Sequence, residues 1–194
     1  LDLLLESIAK HVDLTEEEKD FLCSKVTKKT FKAKELLLKE NEICHQSFFV
    51  LDGILQSYNI DEQGVKHTLS LATSGWWMAD MYSFLSGKPG QLFIEAIENT
   101  TVLCLRKEDQ QLLFDQIPKI DRYFRILIEN SLIANQQRII DNLSLTAEER
   151  YERFCQKYPT IKDKVPQIHI ASYLGVTPEF FSKMKRKLLL GNNR

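Results

Sequence analysis

The spacing of hydrophobic positions changes its period along the chain, and each change predicts a different element. Residues 3–12 carry apolar side chains at helical spacing, and residues 14–19 open a second helix in which Thr15 and Glu18 form a capping-box pattern. The period then falls to two. Residues 31–38, 47–51, 53–60 and 65–72 read as strands; in the last of these Val65, His67, Leu69 and Leu71 alternate with Lys66, Thr68, Ser70 and Ala72. Asp61-Glu62-Gln63-Gly64 separates two of the strands with hairpin-turn chemistry, because Asp accepts from nearby backbone N–H groups and Gly tolerates a left-handed backbone. Residues 91–97 and 101–106 add two further strands, and short strands at this spacing predict a small all-β roll or barrel.

Beyond residue 106 the helical period returns. Residues 107–117 form a short helix stopped by Pro118, and 119 to about 143 run without Gly or Pro. Ile120, Phe124, Leu127 and Ala134 mark one stripe of this long helix, Ile128, Leu132 and Ile139 a second, and Ile126, Ile133 and Ile140 a third. A helix apolar on so many sides must be covered on most of them. One face can pack on the roll, and the stripe of Ile120, Phe124, Leu127, Ser131 and Ala134 is assigned to a two-fold contact with a second copy. Thr146 and Glu149 then open another helix with a capping box.

The densest local signal lies near the end of the chain. Ile170, Ala171 and Leu174 share one helix face, Gly175 supplies a left-handed stop, Thr177 can cap the next helix and Pro178 fits its first position. On that next helix Phe181, Met184 and Leu188 recur on the inner face, which turns Glu179, Ser182, Lys183 and Arg186 outward. This is a helix-turn-helix pattern, and a helix with a polar, cationic outer face suits a DNA major groove. Many small helical domains share two amphipathic helices and a Gly turn without binding DNA, so the turn chemistry and clustered cations are what favour DNA.

Charge adds to this reading. The 194 residues sum to −1, yet residues 166–194 hold five cations against one anion, so a basic end is joined to an acidic body of net −5. Such an end suits phosphate contact. An apolar content of 43% describes an ordinary globular chain. No run approaches the ~20 apolar residues of a membrane span, and the first residues have no basic leader pattern, which together predict a cytoplasmic protein. Cys23, Cys44, Cys104 and Cys155 are far apart and form no metal or cluster spacing, so free thiols are expected.

A β-roll, a long helix and a helix-turn-helix in this order, with these motifs, resemble the Crp-Fnr family of bacterial transcription regulators over essentially the whole chain. Ser47-Phe48-Phe49-Val50-Leu51-Asp52-Gly53 is similar to the family's aromatic-aliphatic strand before a glycine turn, and Ile170 to Glu179 is the more specific match. The resemblance implies an α+β protein: a cyclic-nucleotide-binding-type double-stranded β-roll as sensor over 1–118, a dimerisation helix over 119–145 and a DNA-binding helix-turn-helix over 146–194. It implies a homodimer acting on palindromic double-stranded DNA, with RNA polymerase as a further candidate partner. Glu179 and Lys183 match the family's base-contacting positions; Thr177, Ser182, Lys185, Arg186 and Lys187 complete the expected DNA-binding set. The family's usual Arg before that Glu is Pro178 here, so a different sequence preference is expected.

The sensor half departs from the family. Where cyclic-nucleotide binders carry Gly-Glu, this chain reads Ala79-Asp80, and where they carry an Arg for the phosphate it reads Pro89-Gly90-Gln91-Leu92-Phe93. A buried phosphate without its cation is strongly unfavourable, and Lys88 lacks the bidentate fork. Tight cyclic AMP binding is therefore not expected, nor is any cofactor. Trp76, Trp77, Asp80, Met81, Lys88 and Gln91 are the candidates for another effector's pocket, although such aromatics equally suit a core. The cysteine-ligated cluster of Fnr-type members and the haem ligands of others lack matching residues; His45 and His67 read as surface or hydrogen-bonded groups. The chain reaches Arg194 without the β-hairpin wing that usually follows the recognition helix, so wing contacts to DNA are not expected.

Two other classes compete. Metal-dependent cupin-type enzymes also use small β-rolls, but His11, His45, His67 and His169 form no His-x-His cluster, so an enzyme is not expected. A small-ligand sensor or protein-interaction module with a weak or vestigial helix-turn-helix remains the alternative.

Overall fold

The computed structural model describes the backbone of residues 1–191 and the side chains of residues 1–188. The last three residues, on which part of the expectation about a missing wing and one of the counted cations fall, lie outside the described residues. In chain order the elements are α1 (Asp2–Ala9), α2 (Glu16–Lys25), β1 (Val26–Phe31), β2 (Leu36–Leu38), β3 (Gln46–Asp52), β4 (Leu55–Ile60), β5 (Lys66–Ala72), β6 (Trp77–Met78), α3 (Met81–Ser86), β7 (Phe93–Ala96), β8 (Thr100–Arg106), α4 (Lys107–Gln116), α5 (Pro118–Ser144), α6 (Ala147–Lys157), α7 (Gln167–Leu174) and α8 (Pro178–Gly191). Two four-stranded sheets, ordered β1-β8-β3-β6 and β2-β7-β4-β5, make the α+β roll that the sequence predicts.

Both capping boxes form: the Thr15 hydroxyl accepts from the Glu18 N–H, the Thr146 hydroxyl accepts from the Glu149 N–H, and each Glu accepts in return from the Thr N–H. The predicted strand over residues 31–38 is instead two strands. Lys34 sits at φ 69, a left-handed turn that ends β1 and restarts the chain in β2. The start of β1 escaped the periodicity because Thr27 to Thr30 are all exposed, so its sequence carries no inward stripe. Pro118 does not only end α4; it occupies the first position of α5, where its missing N–H costs nothing. The alternation over residues 65–72 also fails in part. Val65 and Leu69 are exposed while Thr68 is buried, because Ser172 and Arg138 of the same compact unit bond to the Thr68 backbone.

The chain divides into two compact units, one of Leu1–Asn59 with Ser70–Ser131, the other of Ile60–Leu69 with the residues from Leu132 onward. The first unit has two cores. Between the sheets lie Phe48, Val50, Leu55, Ile94, Ala96, Val102 and Cys104. On the other side of β3, Phe49 packs with Leu4, Ile8, Leu22, Leu103, Leu105, Leu113, Ile120 and Phe124. Because β3 is covered on both faces, Phe48-Phe49-Val50-Leu51 reads as a continuous apolar run rather than an alternation. Gly53 follows at φ 92, and a Cβ there would lie 2.5 Å from Thr100 Oγ1 and 2.7 Å from the Asn99 carbonyl. The glycine is required by both its φ and its space.

The second unit packs around aromatic side chains. Phe154 stacks with Tyr151, meets Tyr158 and Tyr173 at 5.0 and 5.4 Å between ring centroids, and Phe181 meets Tyr151 edge-on at 5.2 Å. Burial pushes the Tyr151 phenol up to about 12, with a hydrogen bond to Cys155 adding to it. No helix is long and apolar enough, among the described residues, to cross a membrane.

Candidate nucleic-acid interface

α7 and α8 form the predicted helix-turn-helix. Ile170, Ala171, Tyr173 and Leu174 are buried on α7, and Gly175 stops the helix at φ 70, donating its N–H to the Ala171 and Ser172 carbonyls. The Val176 N–H returns to the Ala171 carbonyl at 3.0 Å, which closes the turn. Thr177 caps α8: its Oγ1 accepts from the Phe180 N–H at 3.2 Å. Phe181 and Met184 anchor the inner face of α8.

The periodicity therefore exposes one polar face. Thr177, Glu179, Ser182, Lys183, Arg186 and Lys187 are all exposed, while Lys185 is half-buried at its flank. Phe180 joins this outer face with 48% of its surface exposed, a position the sequence reading did not include. Its signal was an aromatic one residue out of step with the Phe181 stripe. One negative, several cationic and one apolar group thus share a helix surface whose angle to α7 is fixed by the glycine turn.

The tip of the β4–β5 hairpin belongs to the same unit and is tied to α7. Ser172 Oγ accepts from the Thr68 N–H at 2.9 Å and donates to the Lys66 carbonyl at 2.7 Å. Arg138 of α5 donates to the carbonyls of Thr68 (3.0 Å), Tyr173 (3.1 Å) and Leu69, and its guanidinium lies 4.1 Å from the centre of the Tyr173 ring. Neither residue was singled out from the sequence. Arg138 is an isolated cation within the apolar and amide-rich part of α5, and that isolation was its only signal. Within the hairpin, Asp61 holds the turn by accepting from the N–H groups of Gln63 and Val65 and pairing with His67 Nε2 at 2.7 Å. The His67 hydrogen bond, first among these, holds the Asp61 carboxyl below its ordinary value.

The candidate effector residues of the roll do not form one constellation. Trp77 is part of the core: its Nε1 donates to the Tyr123 hydroxyl at 3.1 Å and its ring packs on Phe49 and Phe124. Asp80 is buried and caps α3, accepting from the Ser83 and Leu92 N–H groups. Trp76, Met81, Lys88 and Gln91 are exposed. A cavity of about 150 Å³ in the roll is lined instead by residues including Leu37, Ile43, Cys44 and Phe48. Where β4 pairs with β7, the roll buries a carboxylate: Glu95 accepts from Gln56 Nε2 at 3.1 Å and from the Tyr58 hydroxyl at 2.8 Å. Burial, helped by Glu95, pushes the Tyr58 phenol far up.

The expected seam of α5 needs correction. Ile120 and Phe124 are buried in the protomer's own core and Leu127 packs against it, so those three face inward. Ser131 is exposed and Ala134 half-buried. The exposed apolar positions are Ile128, Leu132, Ile133, Ile139, Ile140 and Leu143, with Leu132 67% and Leu143 84% exposed. Ile128, Leu132, Ile139 and Leu143 fall on one stripe of a 3.6-residue helix.

Residues 28–116 match the cyclic nucleotide-binding domain family. The chain is 24% identical over 170 residues to the fumarate and nitrate reduction regulatory protein of Vibrio cholerae, covering 81% of this chain but just under two thirds, 66%, of that protein. Among solved structures it is similar to FixK2 from Bradyrhizobium japonicum, with a TM-score of 0.77, 19% identity and 86% of each chain covered. It is also similar to the catabolite activator protein of Thermus thermophilus, with a TM-score of 0.58, 19% identity, and 92% of this chain and 85% of that one covered. The domain match, the sequence relatives and a shared order of roll, long helix and helix-turn-helix converge: the chain carries a cyclic nucleotide-binding domain over residues 28–116 and is similar along its length to regulators of the Crp-Fnr type.

Proposed function

We propose that this chain is a sequence-specific DNA-binding transcription regulator that acts as a homodimer and does not respond to cyclic AMP. The observation that carries the reading is the outer face of α8, where Glu179, Ser182, Lys183, Arg186 and Lys187 stand exposed beyond a glycine turn. Glu179 can accept from cytosine N4, Lys183 can reach guanine O6 or N7, and Phe180 can meet a thymine methyl. Arg186, Lys187 and Lys185 supply phosphate contacts, with the N-terminal Thr177 at the groove's edge. The exposed stripe of Ile128, Leu132, Ile139 and Leu143 supports a two-fold seam, which would set the two α8 helices on half-sites about one turn, ~34 Å, apart.

Three features support indifference to cyclic AMP. Asp80 spends its carboxylate on the α3 cap and Leu92, the segment 88–93 has no arginine, and the buried carboxylate of Glu95 adds negative charge inside the roll, which disfavours a buried phosphate. Titration calorimetry with cyclic AMP is expected to give no heat of binding at micromolar concentrations, and a micromolar dissociation constant would overturn this part. The DNA reading is tested by Lys183→Ala with Arg186→Ala. Loss of two such contacts is expected to weaken operator binding by about 10- to 100-fold and lower the salt dependence. Unchanged binding would refute the groove-face assignment.

A further inference from the structure

The second unit contains a concavity of about 380 Å³ between α5, α6 and α7, and its walls are strongly cationic. Arg138 of α5 and Arg150, Arg153 and Lys157 of α6 line it, against a single carboxylate, Asp141, whose Oδ1 already accepts from Gln137 Nε2 at 2.8 Å. The two inner arginines are held in place by neutral partners. Arg150 Nη1 donates to the Leu145 carbonyl at 2.9 Å, and the Arg138 Nη groups are taken up by carbonyls of the hairpin and of Tyr173. Their positive charges are not offset: among the described residues no carboxylate lies within 4 Å of Arg138, Arg150 or Arg153 in an ion pair.

A second observation concerns the Nε–H groups. Only three side-chain polar atoms among the described residues are buried without a hydrogen-bond partner, and two of them are Arg138 Nε and Arg150 Nε. A shielded guanidinium N–H without an acceptor is unfavourable, and such a group calls for a partner such as an ordered water or an anion. Two oriented arginines with spare donors, flanked by a third arginine and a lysine, match the geometry by which proteins hold a multiply charged oxyanion. The volume exceeds that of one phosphate several-fold. Phe154 and Tyr173 rings and the amides of Gln137, Asn142 and Gln156 line the remainder and suit an organic body.

We propose that this concavity binds a small phosphate-bearing anion, carrying one or two phosphate groups on a compact organic body, and that it is an effector site of the chain. The inference does not require the DNA reading. It does name a route to the helix-turn-helix: an anion drawn to Arg138 bears on the residue that ties the hairpin tip to the Tyr173 carbonyl of α7.

The test uses the full chain without DNA and pyrophosphate as probe, at fixed ionic strength with chloride in place of the probe as control. Equilibrium dialysis is expected to show saturable uptake of one pyrophosphate per protomer. Arg150→Gln and Arg153→Gln should each weaken it by about tenfold, while Lys28→Gln on the distant β1 strand should not. Arg153 is exposed, so its variant keeps the fold, and melting temperatures compared without probe verify that for both. Absence of saturable uptake in the native chain overturns the proposal. Uptake equal in native and both folded variants also overturns it. If the variants change only the oligomeric state and not probe uptake, the cations serve a contact between copies and the proposal fails.

Discussion

Gly90 shows how closely one residue can be specified. A Cβ there would overlap the buried carboxylate of Asp80 and lie 3.0 Å from Ser83 Cβ, while Asp80 itself caps α3 and binds the Leu92 N–H. Gly90 also exchanges backbone hydrogen bonds with Asn41 and Glu42, at 2.8 and 3.0 Å, so it cannot easily move away. Gly90→Ala is expected to lower stability by roughly 1–3 kcal/mol, read as a fall in the thermal midpoint; a midpoint within error of the native chain would show that the loop yields freely. Asp61 supports a second prediction. Its carboxyl is lowered by the His67 hydrogen bond and the Val65 N–H, so the carboxylate's contribution to the hairpin is complete above the ordinary value of 3.8 and is lost as pH falls through the lowered folded value. The amide resonances of Gln63 and Val65, which both donate to Asp61 Oδ1, should titrate below 3.8. Titration at or above that value would mean that the turn exerts no such pull.

At the scale of elements, what the sequence discloses depends on whether a segment's pattern is set locally. The capping boxes at Thr15 and Thr146, the Gly175 stop and the Thr177 cap are local chemistry, and each was legible from residue types alone. β1 was missed except for Phe31 because its edge position leaves Lys28 and Lys29 in solvent, and the two-residue β6 is too short to show a period. The inward face of α5 was legible as apolar. Which stripe faced inward was not, because three stripes were available and only the packing of Phe49, Trp77 and Leu113 selects among them. The Arg138 and Ser172 ties were invisible for a related reason: they join residues about 70 and 104 to 106 positions apart. The seam proposed on the exposed stripe makes its own prediction. Leu132→Asp with Ile139→Asp places two charges on the exposed stripe and should turn a dimer into a monomer in sedimentation, with the helical signal retained. A dimer that persists in this variant would place the contact elsewhere.

For the whole molecule, the proposed division of labour would differ from that of a simple cyclic-nucleotide switch. The roll has the fold of a cyclic nucleotide-binding domain, yet its Asp80 and Glu95 are consumed by internal hydrogen bonds. The basic end, with five cations against one anion over residues 166–194, contrasts with a body of net −5, which favours a localised approach to DNA over non-specific wrapping. The phosphate-type site proposed in the second unit would place effector and helix-turn-helix in one compact body.

The measurement that tests the central claim most directly is selection of the purified chain against random duplex DNA, followed by titration of the enriched sequence against salt. The account predicts a two-fold-symmetric motif with half-site centres about one helical turn apart and an affinity that falls steeply, log against log, as salt rises. Retention of no motif above the starting pool, in the absence and presence of pyrophosphate alike, would contradict the reading of α8 as a recognition helix.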